Sequence, residues 1–574
     1  MEDSIGVVEP RDMQLNLPEG GFKCWGGILK AISVRYEECG APMTDDNVIF
    51  FCHALTGDAH VAGIRPGEDK PSGWWENMVG PGKAFDTNKF HIVCANVLGG
   101  CQGTTGPMSI NPDTGKPYGS AFPKYTHEDA VNVYRMFLQQ LGVKKCAALV
   151  GGSYGGMQVI EWITRHPDDT DKAILIATSA ALNTQALAFD LVGRASIKHD
   201  PDWRGGDYYL TSDGKGPKRG LMEARQLAHI TYLSRDLLQE KFGRRLQPVR
   251  GCFQIESYLD HQGVKFINRF DANSYLHITR ALDQYDLAQE WGSYEAAFAR
   301  VKAKCLVVSY SNDVLFTEWE SKEIVNALLK NKKQVGYCHL ESGTGHDSFL
   351  TDIDDLSGVV SGFLCPRAPK VMKWQKRLYR KVTGLVKKNA HIIDLGCGDG
   401  SLLNVLREEK NATGDGVEID IDKYKEASAD NHPIFWADAD EGLDFIPDHY
   451  YDTAILSETL QVVKNPRGLL RESLRIADDA IVTFPNFAEY HIRLSLMLRG
   501  RLPVSKALPF EWYDTPNIHC VTLKDFKRLC DAEGIEIVEK RCEGRGLLGR
   551  LLVAVGLRNL GAARVIARIK YKAK

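Results

Sequence analysis

A serine set among glycines, Gly151-Gly152-Ser153-Tyr154-Gly155-Gly156, is the first feature of this sequence whose residue types and spacing could do chemistry. It follows the apolar run Cys146 to Val150 and precedes a helical pattern from Met157 to Arg165. A G-x-S-x-G between a strand and a helix makes a turn so sharp that flanking side chains would collide, and the strain lifts the hydroxyl into the open. Ser153 is therefore the candidate nucleophile. It needs a base to take its proton and an acid to hold that base, expected downstream in the order acid, then histidine. Asp313 lies in a turn after the strand-like run Cys305 to Tyr310. His346 lies in the loop Ser342-Gly343-Thr344-Gly345-His346-Asp347, after a short strand from Gln334 to Leu340. Taken singly, a turn aspartate is ordinarily solvated and a loop histidine ordinarily exposed; their order and their places after two late strands assign them here as acid and base. The backbone N–H of Tyr154 and that of Leu55, in the loop His53-Ala54-Leu55-Thr56-Gly57, are the expected oxyanion donors. His53 and His60 have no third ligand in view and make a poor zinc site, so no metal is expected. These groups specify acyl transfer without choosing its acceptor, because hydrolases and acyltransferases share them.

The elements that must position these residues alternate. Strands are expected at Val48 to Cys52, His91 to Ala95, Cys146 to Val150, Lys172 to Ile176 and Cys305 to Tyr310, with helical patterns between several of them, which predicts a mainly parallel α/β sheet. Over about 181–291 the strand pattern fades, and Met222 to Ser234 and Ser274 to Gln289 read as amphipathic helices, a helical insertion of the kind that lids an α/β site. Two prolines and two basic residues in Cys365-Pro366-Arg367-Ala368-Pro369-Lys370 then interrupt the pattern and divide the chain into domains 1–366 and 367–574. A basic helix, Val371 to Lys388, and a new strand, His391 to Leu395, open the second.

Composition narrows the class. A chain of 574 residues exceeds what one core usually supports, and 44% hydrophobic with 25% charged residues excludes disordered and collagen-like readings. A net charge of −3 gives no global attraction to nucleic acid or to a membrane surface, and neither is an expected partner. No apolar run approaches the roughly 20 residues a bilayer span needs, and the first residues lack the basic-then-apolar order of a secretory signal. A cytoplasmic location is the expectation. The 14 cysteines include no C-x-x-C pair and read as reduced thiols. From Arg545 onward eight basic residues occur without an acid. The alternation from Ala562 to Tyr571 favours an exposed terminal strand over a lipid- or RNA-binding tail.

Several long motifs in the first half closely resemble the homoserine O-acyltransferases of methionine biosynthesis, the MetX family. They include His53-Ala54-Leu55-Thr56-Gly57-Asp58-Ala59-His60, Asn96-Val97-Leu98-Gly99-Gly100-Cys101, Phe270-Asp271-Ala272-Asn273-Ser274-Tyr275 and Gly345-His346-Asp347. The likeness runs from about Leu15 to Leu364. It implies an α/β-hydrolase fold with a helical lid, Ser153, Asp313 and His346 as the triad, and Arg225 and Asp347 as substrate-binding residues. It also implies a ping-pong transfer from acyl-CoA to L-homoserine and a homodimer. The chain departs from the family at Tyr154, where Met is usual, and at Thr344, where an aromatic is common. Succinyl-using relatives place Arg two residues after the triad Asp. Here that position is Leu315, so acetyl-CoA is the expected donor, with a homoserine O-succinyltransferase, or an esterase joined to a methyltransferase, as alternatives.

The second half carries a glycine loop of another kind. His391-Ile392-Ile393-Asp394-Leu395-Gly396-Cys397-Gly398-Asp399-Gly400 places G-x-G-x-G at a strand end, and the next strand ends in Val417-Glu418-Ile419-Asp420, where an acid can hold ribose hydroxyls. The spacing is shorter than a dinucleotide fingerprint and Asp394 would repel a pyrophosphate; a sulfonium cofactor with a free amino group suits it. The pattern resembles class I S-adenosylmethionine-dependent methyltransferases, which implies S-adenosylmethionine at Asp394, Gly396, Gly398, Gly400 and Glu418, with Asp438 toward the adenine. Thr483-Phe484-Pro485-Asn486-Phe487 and the run from Leu498 to His519 resemble the methionine-biosynthesis family MetW. The whole chain thus resembles a fusion of the two families. The methyl acceptor, and whether the second domain is catalytic or regulatory, stay open.

Overall fold

The computed structural model of the protein describes residues 4–67, 71–211, 215–248, 251–365, 375–504 and 510–572. The chain forms two compact units, Met1–Leu364 and Cys365–Lys574. The boundary expected at 366/367 lies outside the described residues, as does the start of the expected basic helix, which is seen over Gln375–Thr383.

The main sheet of the first unit has strands β1 (Arg11–Gln14), β2 (Ser33–Gly40), β3 (Val48–Cys52), β4 (His91–Ala95), β5 (Ala148–Gly152), β6 (Lys172–Ile176), β7 (Lys304–Tyr310) and β8 (Val335–Leu340), in the order β1-β2-β4-β3-β5-β6-β7-β8. The pairs involving β2 are antiparallel and the rest parallel. Every residue of β3 and β5 is buried, as central parallel strands covered on both faces require. Helix α1 (His127–Leu141) is held at its start by a Thr126–Asp129 capping box and ends at Gly142 in the left-handed region. With α2 (Tyr154–Arg165) it packs on the sheet through Phe50, whose ring lies 5.0 Å from Tyr134 and 5.5 Å from Trp162.

The lid is helical, as expected. It comprises α3 (Thr184–His199), α4 (Lys218–Tyr232), α5 (Arg235–Lys241), α6 (Gln254–Ile267), α7 (Ala272–Asp283) and α8 (Leu287–Trp291), and its two ends meet at an Ala181–Asp286 bridge. The single helix expected from Ser274 to Gln289 is instead α7 and α8, because Asp286 turns out of the helix and caps α8 through the Gln289 N–H.

The second unit's sheet contains β9 (His391–Leu395), β10 (Thr413–Glu418), β11 (Ile434–Trp436), β12 (Tyr451–Ser457), β13 (Ala477–Pro485), β14 (Ile535–Gly544) and β15 (Ala562–Tyr571), ordered β11-β10-β9-β12-β13-β15-β14. The order reverses at β9, so its carboxyl end, where the glycine loop begins, is a switch-point crevice. The expected exposed terminal strand forms as β15, yet it is neither terminal in the sheet nor exposed. It runs antiparallel between β13 and β14, with Val565, Ile566, Ala567 and Ile569 at 0% exposure. Two of its arginines find carboxylates: Arg564 pairs at 2.6 Å with Glu458, just past the end of β12, and Arg568 with Asp479 of β13. Among the described residues no helix is long and apolar enough to cross a membrane.

Candidate functional site

Ser153 joins β5 to α2 at φ 56°, ψ −126°, a conformation most residues avoid. The glycines around it are required by space. A Cβ on Gly151 would lie 2.2 Å from the Gly155 carbonyl oxygen, and one on Gly155 2.0 Å from that of Cys52. The strained residue is pinned by its N–H, which donates to the Ile176 carbonyl at 2.9 Å, and by Thr178 Oγ1, which donates to its carbonyl at 2.8 Å.

The three residues expected to act together do meet. His346 Nε2 is 2.8 Å from Ser153 Oγ, and His346 Nδ1 is 2.8 Å from Asp313 Oδ2. The other oxygen of Asp313 accepts the N–H groups of Leu315 at 2.9 Å and Phe316 at 3.0 Å, which fixes the carboxylate's orientation. Ser153, Asp313 and His346 are 8%, 5% and 3% exposed. Burial alone would keep the imidazole neutral, but the charge and hydrogen bond of Asp313 outweigh it and hold the His346 pKa above its ordinary value.

Leu55, Tyr154 and Leu315 line a chamber of about 50 Å³ beside Ser153, together with lid residues such as Phe189 and Tyr232. No described acceptor takes the N–H of Leu55 or Tyr154. Asp190, which sequence spacing did not single out, supplies the chamber wall's carboxyl group. Burial, then the neighbouring Asp283, pushes its pKa well above the usual carboxylate range. His53 and His60 have protein partners. His53 Nε2 accepts the Val97 N–H at 3.0 Å, and His60 bridges Glu37 and the Pro71 carbonyl, each at 2.8 Å.

Arg225 and Asp347 do not line the chamber themselves but both touch Tyr232, which does. The Arg225 guanidinium stacks 4.7 Å from the Phe266 centroid and 5.3 Å from that of Tyr232, and donates to Thr56 Oγ1 at 3.3 Å. Asp347 donates its N–H to the Tyr232 carbonyl at 3.1 Å, and burial raises its carboxyl pKa against the pull of His346 and Arg225. A second guanidinium that the sequence did not reveal, Arg269, donates to the Thr56 carbonyl at 3.0 Å and lies 5.4 Å from the same Phe266 ring. Burial and then Arg225 pull its pKa down, and together with burial the two arginines hold His229 at about 3. Two like charges thus converge on Thr56 with an acid nearby, an arrangement suited to a carboxylate and an ammonium on one small molecule.

In the second unit Gly396, Gly398 and Gly400 all adopt positive φ, at 81°, 57° and 74°, and a Cβ on Gly396 would lie 2.9 Å from Thr459 Oγ1. Glu418 accepts the Gly398 N–H at 2.7 Å, and its other oxygen accepts the N–H groups of Ile419 and Asp420 at 3.1 and 3.0 Å. Asp394 is 1% exposed and its Oδ1 has no partner; burial, then Glu418 and Asp399, push its pKa up to about 8. Asp438 follows β11 at the same sheet edge and accepts the Asp440 N–H at 2.8 Å. An orphaned buried carboxyl among further acids, beside glycines open to a ligand, fits a cationic sulfonium cofactor. Among the described residues the acids close enough to share a metal ion, Glu128, Glu161 and Glu290, all surround Arg165 instead.

The family described as alpha/beta hydrolase fold matches residues 47–353, and that described as methionine biosynthesis protein MetW matches residues 376–546. The bifunctional methionine biosynthesis protein MetXA/MetW of Rhodopirellula baltica is 37% identical over 542 residues, which are 90% of this chain and 86% of that protein. A homoserine O-acetyltransferase of Methanosphaerula palustris is 49% identical over 348 residues, 59% of this chain and 70% of the relative. The crystal structure of esterase E22 is similar with a TM-score of 0.57 at 28% identity, over 62% of this chain and 100% of its own. With an α/β-hydrolase fold in its first unit, a methyltransferase-like second unit and a relative matched along both, the chain belongs to the bifunctional MetXA/MetW family of methionine biosynthesis proteins.

Proposed function

We propose that the first unit transfers an acetyl group from acetyl-CoA to the hydroxyl of L-homoserine, giving O-acetyl-L-homoserine, by a ping-pong mechanism. The observation that carries this reading is the buried Ser153–His346–Asp313 relay together with the charged cluster of Arg225, Arg269 and Asp347. Ser153 Oγ attacks the thioester carbonyl as His346 takes its proton, and the N–H groups of Leu55 and Tyr154 hold the oxyanion. The C–S bond breaks, and CoA leaves with the proton from His346. Homoserine then gives its hydroxyl proton to His346 and attacks the acyl carbonyl; Ser153 leaves and is reprotonated. Arg225, with Arg269 beside it, holds the homoserine carboxylate, and Asp347 its ammonium, whose charge offsets the burial that disfavours the carboxylate. The same reading includes a homodimer, a cytoplasmic location and a domain boundary near residue 366. The test is CoA release from acetyl-CoA with and without homoserine: release that depends on homoserine supports transfer. The similarity of fold to an esterase favours hydrolysis as the second reading, and release to water alone at the same rate would select it.

Acetyl-CoA is the expected donor because Leu315 and its apolar neighbours give a succinyl carboxylate no partner. Burying that charge unpaired costs about 3 kcal/mol or more, roughly a hundredfold in kcat/KM. Competition between the two donors measures it. Equal kcat/KM would contradict the assignment, and Leu315→Arg is expected to shift the balance toward succinyl-CoA.

The second unit is proposed to bind S-adenosylmethionine in the β9 crevice. The group would bring a transferable methyl on its sulfonium. Asp394 would meet its amino group, Glu418 its ribose hydroxyls, Gly396, Gly398 and Gly400 would let the backbone close on it, and Asp438 would flank the adenine. Removing the Glu418 carboxylate by Glu418→Ala is expected to weaken binding to the full-length protein by roughly 1.5–3 kcal/mol. Calorimetry reads it directly; no heat from folded wild-type protein would rule the cofactor out.

A further inference from the structure

The chamber at Ser153 has room for an acyl group but not for a nucleotide, and its lining carries no cation. A larger cavity, about 630 Å³, opens on a neighbouring flank of the same two lid helices. From α3, Phe189 and Asp190 face the chamber while Arg194 and Lys198 face the groove; from α7, Tyr275 and Leu282 face the chamber while Arg280 and Asp283 face the groove. The helical period explains the division, since consecutive residues point about 100° apart.

The groove is strongly cationic. Lys124, Arg194, Lys198 and Arg280 line it against one carboxylate, Asp283, which is already paired with Arg194. Lys124, Lys198 and Arg280 form no ion pair among the described residues, and Arg280 lies 5.9 Å over the Trp25 ring. Arg194 is 8% exposed, and its Nη1 is buried without a partner. The local potential is visible in His277, on the same wall, whose pKa falls to about 4 through burial and then through Arg280 and Lys124. Apolar surface is present too, with Trp203 at the edge and its indole N–H donating to Asn273 at 3.0 Å. Several unpaired cations, a buried guanidinium with an unused donor and a flat apolar side chain in a cavity of this size are what a phosphorylated nucleoside requires.

We infer that this lid groove binds a phosphorylated nucleoside, its phosphates on Arg194, Lys198, Arg280 and Lys124 and its base toward Trp203. The ligand has two chemical sources, the nucleotide end of the CoA donor or a free nucleotide acting as an effector. The first rests on the acetyl-transfer reading and the second does not.

Adenosine 3′,5′-bisphosphate and ATP, titrated separately into the full-length protein by calorimetry, test the site. At least one is expected to bind, with affinity that falls with added salt and falls about tenfold or more in Lys198→Glu and in Arg280→Glu. Both variants change exposed or partly exposed side chains, and circular dichroism checks their fold. A donor source predicts that they raise KM for acetyl-CoA about tenfold while leaving turnover of acetyl-pantetheine, which lacks the phosphates, unchanged. An effector source predicts an unchanged KM for acetyl-CoA and an activity that responds to ATP in the wild type only. No binding of either nucleotide to the wild type, or binding that both variants leave intact, overturns the inference. Failure of the acetyl-transfer reading is separately visible as absence of homoserine-dependent CoA release in the wild type.

Discussion

Ser153→Ala leaves the protein folded and stops acyl-enzyme formation, lowering homoserine acetylation on the order of ten-thousandfold or more. Both halves of this result follow from the elbow. Alanine keeps the Cβ that serine has at φ 56°, so the strain is unchanged, and the hydrogen bonds that pin the residue, to Ile176 and from Thr178, use its backbone only. What disappears is the hydroxyl 2.8 Å from His346 Nε2. Unchanged thermal unfolding with lost activity is the expected pair of measurements. A variant that acetylates homoserine at near wild-type rate would show that another group carries the acyl chain.

Asp313→Asn is expected to cost nearly as much, on the order of thousandfold to ten-thousandfold in kcat. The amide oxygen can still accept the N–H groups of Leu315 and Phe316, but its NH2 then faces His346 Nδ1 and favours the tautomer whose Nε2 carries the proton, the wrong one for a base. The pH profile changes as well. His346 accepts a proton only when neutral, so activity is present above its pKa and falls as pH drops through it. Burial lowers that pKa and Asp313 raises it by more, so the acid limb of kcat/KM in the wild type lies above about 6.5. With Asp313 neutralised, burial is opposed only by the weaker influence of Asp347, and the limb moves to lower pH. A limb that stays in place would mean that another group titrates.

Much of this arrangement is legible in the sequence because it rests on local chemistry. Strands β3, β4, β6 and β9 occupy the residues expected of them, each mostly apolar as a two-sided core demands, with Asp394 of β9 the exception inside a strand. The elbow declares itself through glycines, and the order serine, aspartate, histidine brings together residues 193 and 33 positions apart in the chain. What could not be read depends on distant packing. Arg269 earns no notice from its spacing, because its role arises only when the turn between α6 and α7 sets it beside Phe266 and against Thr56 of the loop after β3. Asp190 looks like a solvated helix residue until Asp283 and the chamber wall enclose it. The last strand carries the basic alternation of an edge, but Asp479 of β13 and Glu458 just past β12 turn that pattern inward.

In the proposed mechanism Ser153 carries the acetyl group between two substrates. Intact-mass measurement of the protein mixed with acetyl-CoA alone, then with homoserine added, tests it most directly. One added acetyl group, mapped to Ser153, is expected to persist without homoserine and to be discharged on its addition with O-acetylhomoserine as the product. An acetyl group on any other residue, or one lost to water at the same rate whether or not homoserine is present, would contradict it.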